Sequence, residues 1–403
     1  MYLSEDYVSI CPSHIAIIGG GRWARVLTEV LSEITPSETI ISIYSIHNKK
    51  FMVKWTLEKR FRQNITIYDN FHNFSDQKLG AIIVANAARD HEIAIQKGLN
   101  ASIPVLAEKP VTLSYSATCR LVKLAQEKNT FFASAHIFLF SRYLLNFSNL
   151  VSHSGSLKSI QIEWSDPKYE NRHGEQKYFD SSLPIFFDLL PHILSIISAI
   201  IGKCSIKYKD LIFFKGGSQI KIELMLKDVS CSINLARNSD ARKRIINVRS
   251  DQDLQLDFSE EPGFIKQGTS VICGDDKWDV DSRPAAQMLS AFLVQSAGDQ
   301  TDDRLDIDLA LQANKLIDEI LFSYNNAMIS WLKEKLIPKV LIDDDLKYAL
   351  SEILLVNGHH SKDINTLIDR IQKAFNSDSS TYWIDRIKKT SEPFEVIRKI
   401  AVS

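Results

Sequence analysis

A short β-branched run, His14-Ile15-Ala16-Ile17-Ile18, meets Gly19-Gly20-Gly21-Arg22-Trp23-Ala24, and a helical repeat follows at once through Val26, Leu27, Val30, Leu31 and Ile34. Strand, G-x-G-x-x-A, then helix is the order in which a chain wraps a dinucleotide pyrophosphate. Gly19 permits the tight turn, Gly21 lets the backbone approach the phosphates, and Ala24 lets helix and strand pack closely. Free N–H groups at the helix start favour negative charge. A glycine-rich turn without a ligand is the plainer alternative. Further strand-like runs at 39–45, 65–68, 81–85, 104–109 and 131–135 alternate with helical ones, including one from Ser114 to Lys128. Alternation with short links predicts an α/β fold built on a doubly wound parallel sheet.

The chain has 403 residues, a formal net charge of −1, 45% hydrophobic and 24% charged residues. That length gives two or three domains with their own cores. The charge balance offers no field to draw the protein to nucleic acid or an anionic membrane. Cys11, Cys119, Cys204, Cys231 and Cys273 are scattered and never spaced as CxxC. This argues against a disulfide framework or a zinc site and for a reducing compartment. The leading segment MYLSEDYVSICPS has neither the basic nor the apolar region of a signal peptide. Asp188, Pro191 and His192 interrupt the most apolar stretch, Leu183–Ile201, so a buried helix is expected there and not a membrane span. The expectation is a soluble, cytoplasmic protein with no metal, no nucleic acid and no membrane partner.

Open parallel sheets bind ligands beyond the carboxyl ends of their strands. The second strand ends without the acid that NAD-preferring folds carry; Ser45, His47, Asn48 and Lys49 stand there instead. A missing carboxylate removes repulsion against a 2′-phosphate, and lysine can pair with it, so NADP is preferred over NAD. Lys49 as a merely solvated helix start is the alternative. Asn86 ends the fourth strand and is placed to touch ribose or nicotinamide, and His91 is a further candidate cofactor contact, with starting the following helix as its alternative role. Pro104-Val105-Leu106-Ala107-Glu108-Lys109-Pro110 is a buried strand that ends in a Lys-Pro step, which puts Lys109 at the same edge.

These stretches resemble the glucose–fructose oxidoreductase / inositol dehydrogenase / MocA-type family of nicotinamide-dependent oxidoreductases. The carriers are Gly19–Ala24, Glu108-Lys109-Pro110, Phe132-Ala133-Ser134-Ala135-His136 and Asp188-Leu189-Leu190-Pro191-His192, in order across roughly residues 14 to 325. The resemblance implies an N-terminal Rossmann domain and a C-terminal α/β domain whose open, mostly antiparallel sheet makes homo-oligomer contacts. It also implies cofactor contacts from Gly19 to Ala24, including Gly20, Arg22 and Trp23, and from Glu108 and Lys109. Lys109 would touch the substrate oxygen on the cofactor side, and His192 would exchange the proton.

The chemistry is sensible on its own terms. Hydride leaving an alcohol requires loss of the hydroxyl proton, and histidine, with an ordinary pKa near 6.5, suits that exchange. Lysine serves best as an electrostatic anchor. Asp188 and His192 are four apart, on one face of a helix, so the carboxylate can contact substrate or hold the imidazole; a capping aspartate and a core histidine are the alternative. Pro191 inside the element can shift one relative to the other. His136, Tyr169, Arg172 and His173 are candidate substrate contacts, the last three on a polar loop. The basic run Arg237…Arg242-Lys243-Arg244 reads as an exposed hairpin, with a phosphate site as the alternative.

Strand-like runs near 159–164, 206–214, 219–225, 229–235, 244–249 and 254–258, then helices at 285–295 and 305–323, fill the second half. The domains are thus expected at 1–136, 137–328 and 329–403, the last a helical extension that the family resemblance does not explain. Its apolar stripes need a partner surface, on its own domain, another subunit or a pathway protein. The same residues also suit two other functions: a hydrolase or eliminase with tightly bound NAD, and a non-catalytic dinucleotide-binding sensor or scaffold.

Overall fold

The computed structural model describes residues 11–70, 78–172, 175–177, 182–278, 283–355 and 363–402. The first elements are β1 (His14–Ile18), α1 (Arg22–Ile34), β2 (Ile40–Tyr44), α2 (Lys49–Lys59), β3 (Asn64–Tyr68), β4 (Ala81–Val84), α3 (His91–Asn100), β5 (Val105–Ala107), α4 (Tyr115–Glu127), β6 (Phe132–Ser134) and α5 (Arg142–Ser152). Then come β7 (Ser159–Pro167), β8 (Glu170–Arg172), β9 (Glu175–Lys177), α6 (Ile185–Ile201), β10 (Ile206–Phe214), β11 (Gln219–Leu226), β12 (Val229–Ser239), β13 (Lys243–Arg249), β14 (Leu254–Asp257), β15 (Phe264–Gln267) and β16 (Ser270–Cys273). Helices α7 (Pro284–Ser296), α8 (Asp308–Lys335), α9 (Asp344–Leu355), α10 (Ile364–Asn376), α11 (Ser380–Lys389) and α12 (Pro393–Val402) follow. Two compact units result, each discontinuous in sequence: Met1–Ser152 with Leu190–Gly202 and Cys273–Ile317, and His153–Leu189 with Lys203–Ile272 and Asp318–Ser403.

The first unit is the expected parallel sheet, with six strands in the order β3-β2-β1-β4-β5-β6. Ile15 and Ile17 point to one face and Ala16 and Ile18 to the other, and all four are buried. A sheet covered on both faces requires such continuous apolar strands. Leu27 and Leu31 of α1 and Met288, Leu289 and Phe292 of α7 cover one face. Ala94, Ile95 and Leu99 of α3 and Leu121 of α4 cover the other. Ser114 caps α4 by accepting from the Ala117 N–H.

The second unit carries eight strands in the order β10-β11-β12-β7-β13-β14-β15-β16. Its β12–β7 pair is parallel and the flanking pairs are antiparallel. Strict alternation buries one face: Ile220, Ile222 and Leu224 on β11, Cys231, Ile233 and Leu235 on β12, and Ile246 and Val248 on β13. The expected exposed hairpin is corrected here. The same alternation sends Arg237 and Arg244 inward, to 1% and 2% exposure. Arg244 lies over the Trp164 ring at 3.8 Å and bonds Asp166, while Arg242 pairs with Glu170 at 3.3 Å. Arg242 and Arg244 thus already have carboxylate partners. Strand β16 escaped sequence reading because it is exposed throughout and shows no alternation to detect.

Helix α8 runs 28 residues without interruption, beyond the expected 305–323. The helices after it belong to the second unit, with Leu350, Leu354, Ile371, Phe375, Ile387 and Ile397 wholly or nearly wholly buried. Gly216, with φ 65°, makes that packing possible, since a Cβ there would stand 2.2 Å from the Asp345 carbonyl oxygen. No helix among the described residues is long and apolar enough to cross a membrane.

Candidate dinucleotide and substrate site

Two of the three fingerprint glycines are demanded by the protein itself. Gly19 has φ +143°, and a Cβ there would meet the Ala85 carbonyl oxygen at 2.4 Å. One on Gly20 would meet Ser45 Oγ at 1.9 Å, whereas nothing lies within 4 Å of one on Gly21. Gly21 therefore faces open space at the start of α1, whose N-cap has no side-chain hydrogen bond. Uncapped N–H groups beside open space form a cradle for a pyrophosphate. Ala24 is fully buried against the sheet, as close packing requires.

At the carboxyl ends of β2 and β4, Ser45 Oγ and Asn86 Oδ1 are buried without a hydrogen-bond partner among the described residues. Buried polar atoms left this way are costly, and ribose hydroxyls would satisfy them. The residues present thus fit a nicotinamide dinucleotide. His47 is exposed, Asn48 donates to the Gly20 carbonyl at 3.2 Å, and Lys49 pairs with Asp69 at 3.0 Å. That hydrogen bond and the lysine's charge lower the Asp69 pKa.

The exits of β5 and β6 lie side by side. Ala107 is in register with Ser134, and the Ala135 N–H donates to the Ala107 carbonyl at 2.8 Å. Lys109 and His136, each two residues further on, leave the same edge of the sheet. Glu108 is buried, and its Oε1 accepts from the Trp23 indole N–H at 2.5 Å. This bond ties the glycine turn to the residue beside Lys109. Burial pushes the Glu108 carboxyl up to about 7, with the Trp23 bond and the Lys109 charge opposing it. Lys109 is half-buried, and its peptide bond to Pro110 is cis.

His91 begins α3, its alternative role, and its ring spans two carbonyls: Nδ1 lies 2.8 Å from Pro110 O and Nε2 3.2 Å from Asn86 O. It thereby joins the exits of β4 and β5. Burial lowers its pKa, against the pull of those carbonyls. His136 is buried as well, and burial drives its pKa down to about 4 although the Pro191 carbonyl works the other way. The neighbouring Phe138 ring meets the His192 ring edge-on, centroids 5.1 Å apart and planes at 88°. The Pro191–His192 segment therefore packs against the β6 exit, one strand over from Lys109. Helix α6 accommodates Pro191 in its interior.

The remaining candidates belong to the second unit. Asp188, in the first turn of α6, accepts from Arg237 Nη2 at 3.2 Å. Tyr169 is 71% exposed. Arg172 ends β8, with its side chain outside the description, and His173 lies outside the described residues. Sequence reading missed the Trp23–Glu108 bond, took Arg237 for part of an exposed run, and missed Tyr348 and Glu352, which share one buried network with it. Period-two alternation along β12 was the available signal for Arg237. None exists for the other pairs, whose members lie far apart in the chain.

A six-stranded parallel sheet in this order, with a glycine turn after its first strand, is a Rossmann dinucleotide-binding domain. Residues 13–136 match the family model described as "Oxidoreductase family, NAD-binding Rossmann fold". Over this domain the chain is similar to the glucose–fructose oxidoreductase / inositol dehydrogenase / MocA family. An uncharacterized oxidoreductase of Schizosaccharomyces pombe is 28% identical over 123 residues, 30% of this chain and 33% of that protein, so the match spans about a third of the relative's length. UDP-N-acetylglucosamine 3-dehydrogenase from Acidithiobacillus ferrooxidans superposes with a TM-score of 0.61 at 16% identity, covering 78% of this chain and 98% of its own. A 3-ketoreductase from Actinomadura kijaniata, in complex with TDP-benzene and NADP, gives 0.61 at 16%, covering 76% and 95%. Biliverdin reductase from Synechocystis, in complex with biliverdin and NADP+, gives 0.58 at 16%, covering 78% and 99%. At such identities these likenesses concern the fold.

Proposed function

We propose that this chain is an NAD(P)-dependent oxidoreductase. It transfers a hydride between nicotinamide and a carbonyl, alcohol or imine carbon of a polar, sugar-like metabolite, with NADP preferred over NAD. The observation that carries the reading is the common carboxyl edge of β5 and β6, where Lys109 emerges one residue after the carboxylate bonded to the fingerprint Trp23. The Pro191–His192 segment packs against the same edge. The sugar-nucleotide dehydrogenase and 3-ketoreductase among the similar folds support the substrate class.

Bound nicotinamide supplies or accepts the hydride. The Lys109 ammonium opposes the negative charge that develops on the substrate oxygen, which is worth most in a site that excludes water. His192 removes the hydroxyl proton or returns it. Asp188 orients substrate or imidazole, and Tyr169, Arg172 and His173 are proposed substrate contacts. His136, held near pKa 4 by burial, is neutral at physiological pH and offers a hydrogen bond in place of a charge. Residues 1–136, 137–328 and 329–403 are proposed as dinucleotide, substrate and extension regions. A cytoplasmic homo-oligomer built on the open sheet completes the reading, and light scattering checks it. Docking of a pathway protein to the extension is checked by pull-down with and without residues 335–403.

The test is turnover of added NADPH and NADH with a panel of keto and hydroxy sugars, for the wild type, Lys109→Ala and His192→Ala. Each substitution is expected to lower kcat by about 100-fold or more while dinucleotide affinity stays within about threefold. Full activity in both variants refutes the catalytic reading. Turnover with a retained, unconsumed cofactor favours a hydrolase or eliminase. Binding without turnover favours a sensor.

A further inference from the structure

The second unit contains a buried polar chain that the dinucleotide domain does not use. Arg237 follows Leu235 at an in-facing position of β12 and is 1% exposed. A guanidinium at such a position is costly unless its donors are answered. Its Nη1 donates to the Leu183 carbonyl at 2.9 Å and to the Tyr348 hydroxyl at 3.2 Å, and its Nη2 donates to Asp188 Oδ2 at 3.2 Å. Leu183 precedes α6 and Asp188 lies in its first turn. One side chain therefore grips both the entry to the helix and its carboxylate.

The Asp188 side chain nevertheless stays 30% exposed, fixed from the buried side and accessible on another. Tyr348 comes from α9 of the extension, and one turn later Glu352 accepts from the Tyr324 hydroxyl at 3.0 Å. Burial pushes the Glu352 carboxyl up to about 8, so near neutral pH it does not compete with Asp188 for the guanidinium charge. Stability alone does not call for this construction. An aspartate in a first helical turn is already favoured by the helix dipole, and buried ion pairs often give way to aliphatic residues without loss. What the network supplies is a fixed carboxylate.

We propose that Arg237 and Tyr348 are positioning residues for Asp188, which makes the C-terminal extension a support of that carboxylate. The inference rests on the reading of Asp188 as a site residue. The experiment is a double-mutant cycle on the full-length enzyme, using Tyr348→Phe, Asp188→Asn and the combination, with Arg237→Lys as a second probe. Tyr348→Phe keeps the ring and removes only the hydroxyl. It is expected to melt close to wild type and leave the NADPH KM unchanged, while lowering kcat/KM for the carbonyl substrate by about three- to tenfold. Arg237→Lys, which cannot span all three acceptors, is expected to lose more with the same selectivity. In the Asp188→Asn background Tyr348→Phe should have no further effect. Wild-type kcat/KM in Tyr348→Phe and Arg237→Lys, with Asp188→Asn impaired, overturns the inference and leaves the site reading standing. An undiminished Tyr348→Phe effect in Asp188→Asn also overturns it. Full activity in Asp188→Asn overturns both.

Discussion

Glu108 offers a test of the site that needs no substrate. Its carboxyl is buried against the Trp23 indole and pushed from 4.5 up to about 7. A carboxyl whose folded-state pKa is raised favours the fold when protonated. The stability it contributes is complete below about pH 4.5, falls as pH rises, and is exhausted above about 7. A shift of roughly 2.5 units at 1.36 kcal/mol each makes that loss about 3 kcal/mol. Glu108→Gln removes the titration yet keeps an oxygen to accept from Trp23. Urea denaturation of both proteins at pH 5, 6, 7 and 8, taken as a difference, cancels the other titrating groups. The Gln variant is expected to gain on wild type by about 3 kcal/mol between the acid and alkaline ends, with most of the change before pH 7. A difference that stays flat across the range refutes the claim that burial holds this carboxyl protonated beside the fingerprint.

The glycine turn separates folding from binding. Gly19→Ala, with a Cβ 2.4 Å from a carbonyl oxygen, is expected to cost about 2–4 kcal/mol of stability by thermal melting. Gly21→Ala, whose Cβ meets nothing within 4 Å, should melt like wild type and lose about tenfold or more in dinucleotide affinity by fluorescence titration. Removal of residues 336–403 takes Tyr348 and Glu352 from Arg237 and Tyr324 and uncovers the apolar surface beneath α9. Losing the buried Leu350, Leu354, Ile371, Phe375, Ile387 and Ile397 and exposing the surface they cover costs several kcal/mol, a large part of ordinary domain stability. Circular dichroism should show a lost or strongly lowered melting transition, and an unchanged melt would mean that the extension is separable.

Local sequence determined the first unit well because its signals are local. Whereas the glycine turn answers sterically to Ala85 and Ser45 at the ends of two other strands, continuous apolar strands and a capping serine before α4 each act over short range. The same holds for the in-facing positions of β7, β11, β12 and β13, where alternation alone decides which side chains are buried. Alternation also dictates that Arg237 points inward, but it carries no information on what answers the charge. Only folding does that, by bringing Asp188, Leu183 and Tyr348 to one guanidinium from points 49, 54 and 111 residues away. The Trp23–Glu108 bond spans 85 residues and likewise depends on two strand exits meeting. Sequence determined which residues could offer a proton or a charge at the strand ends. Tertiary structure decided their environments, because burial and partners, not residue type, set whether Glu108 and His136 are charged.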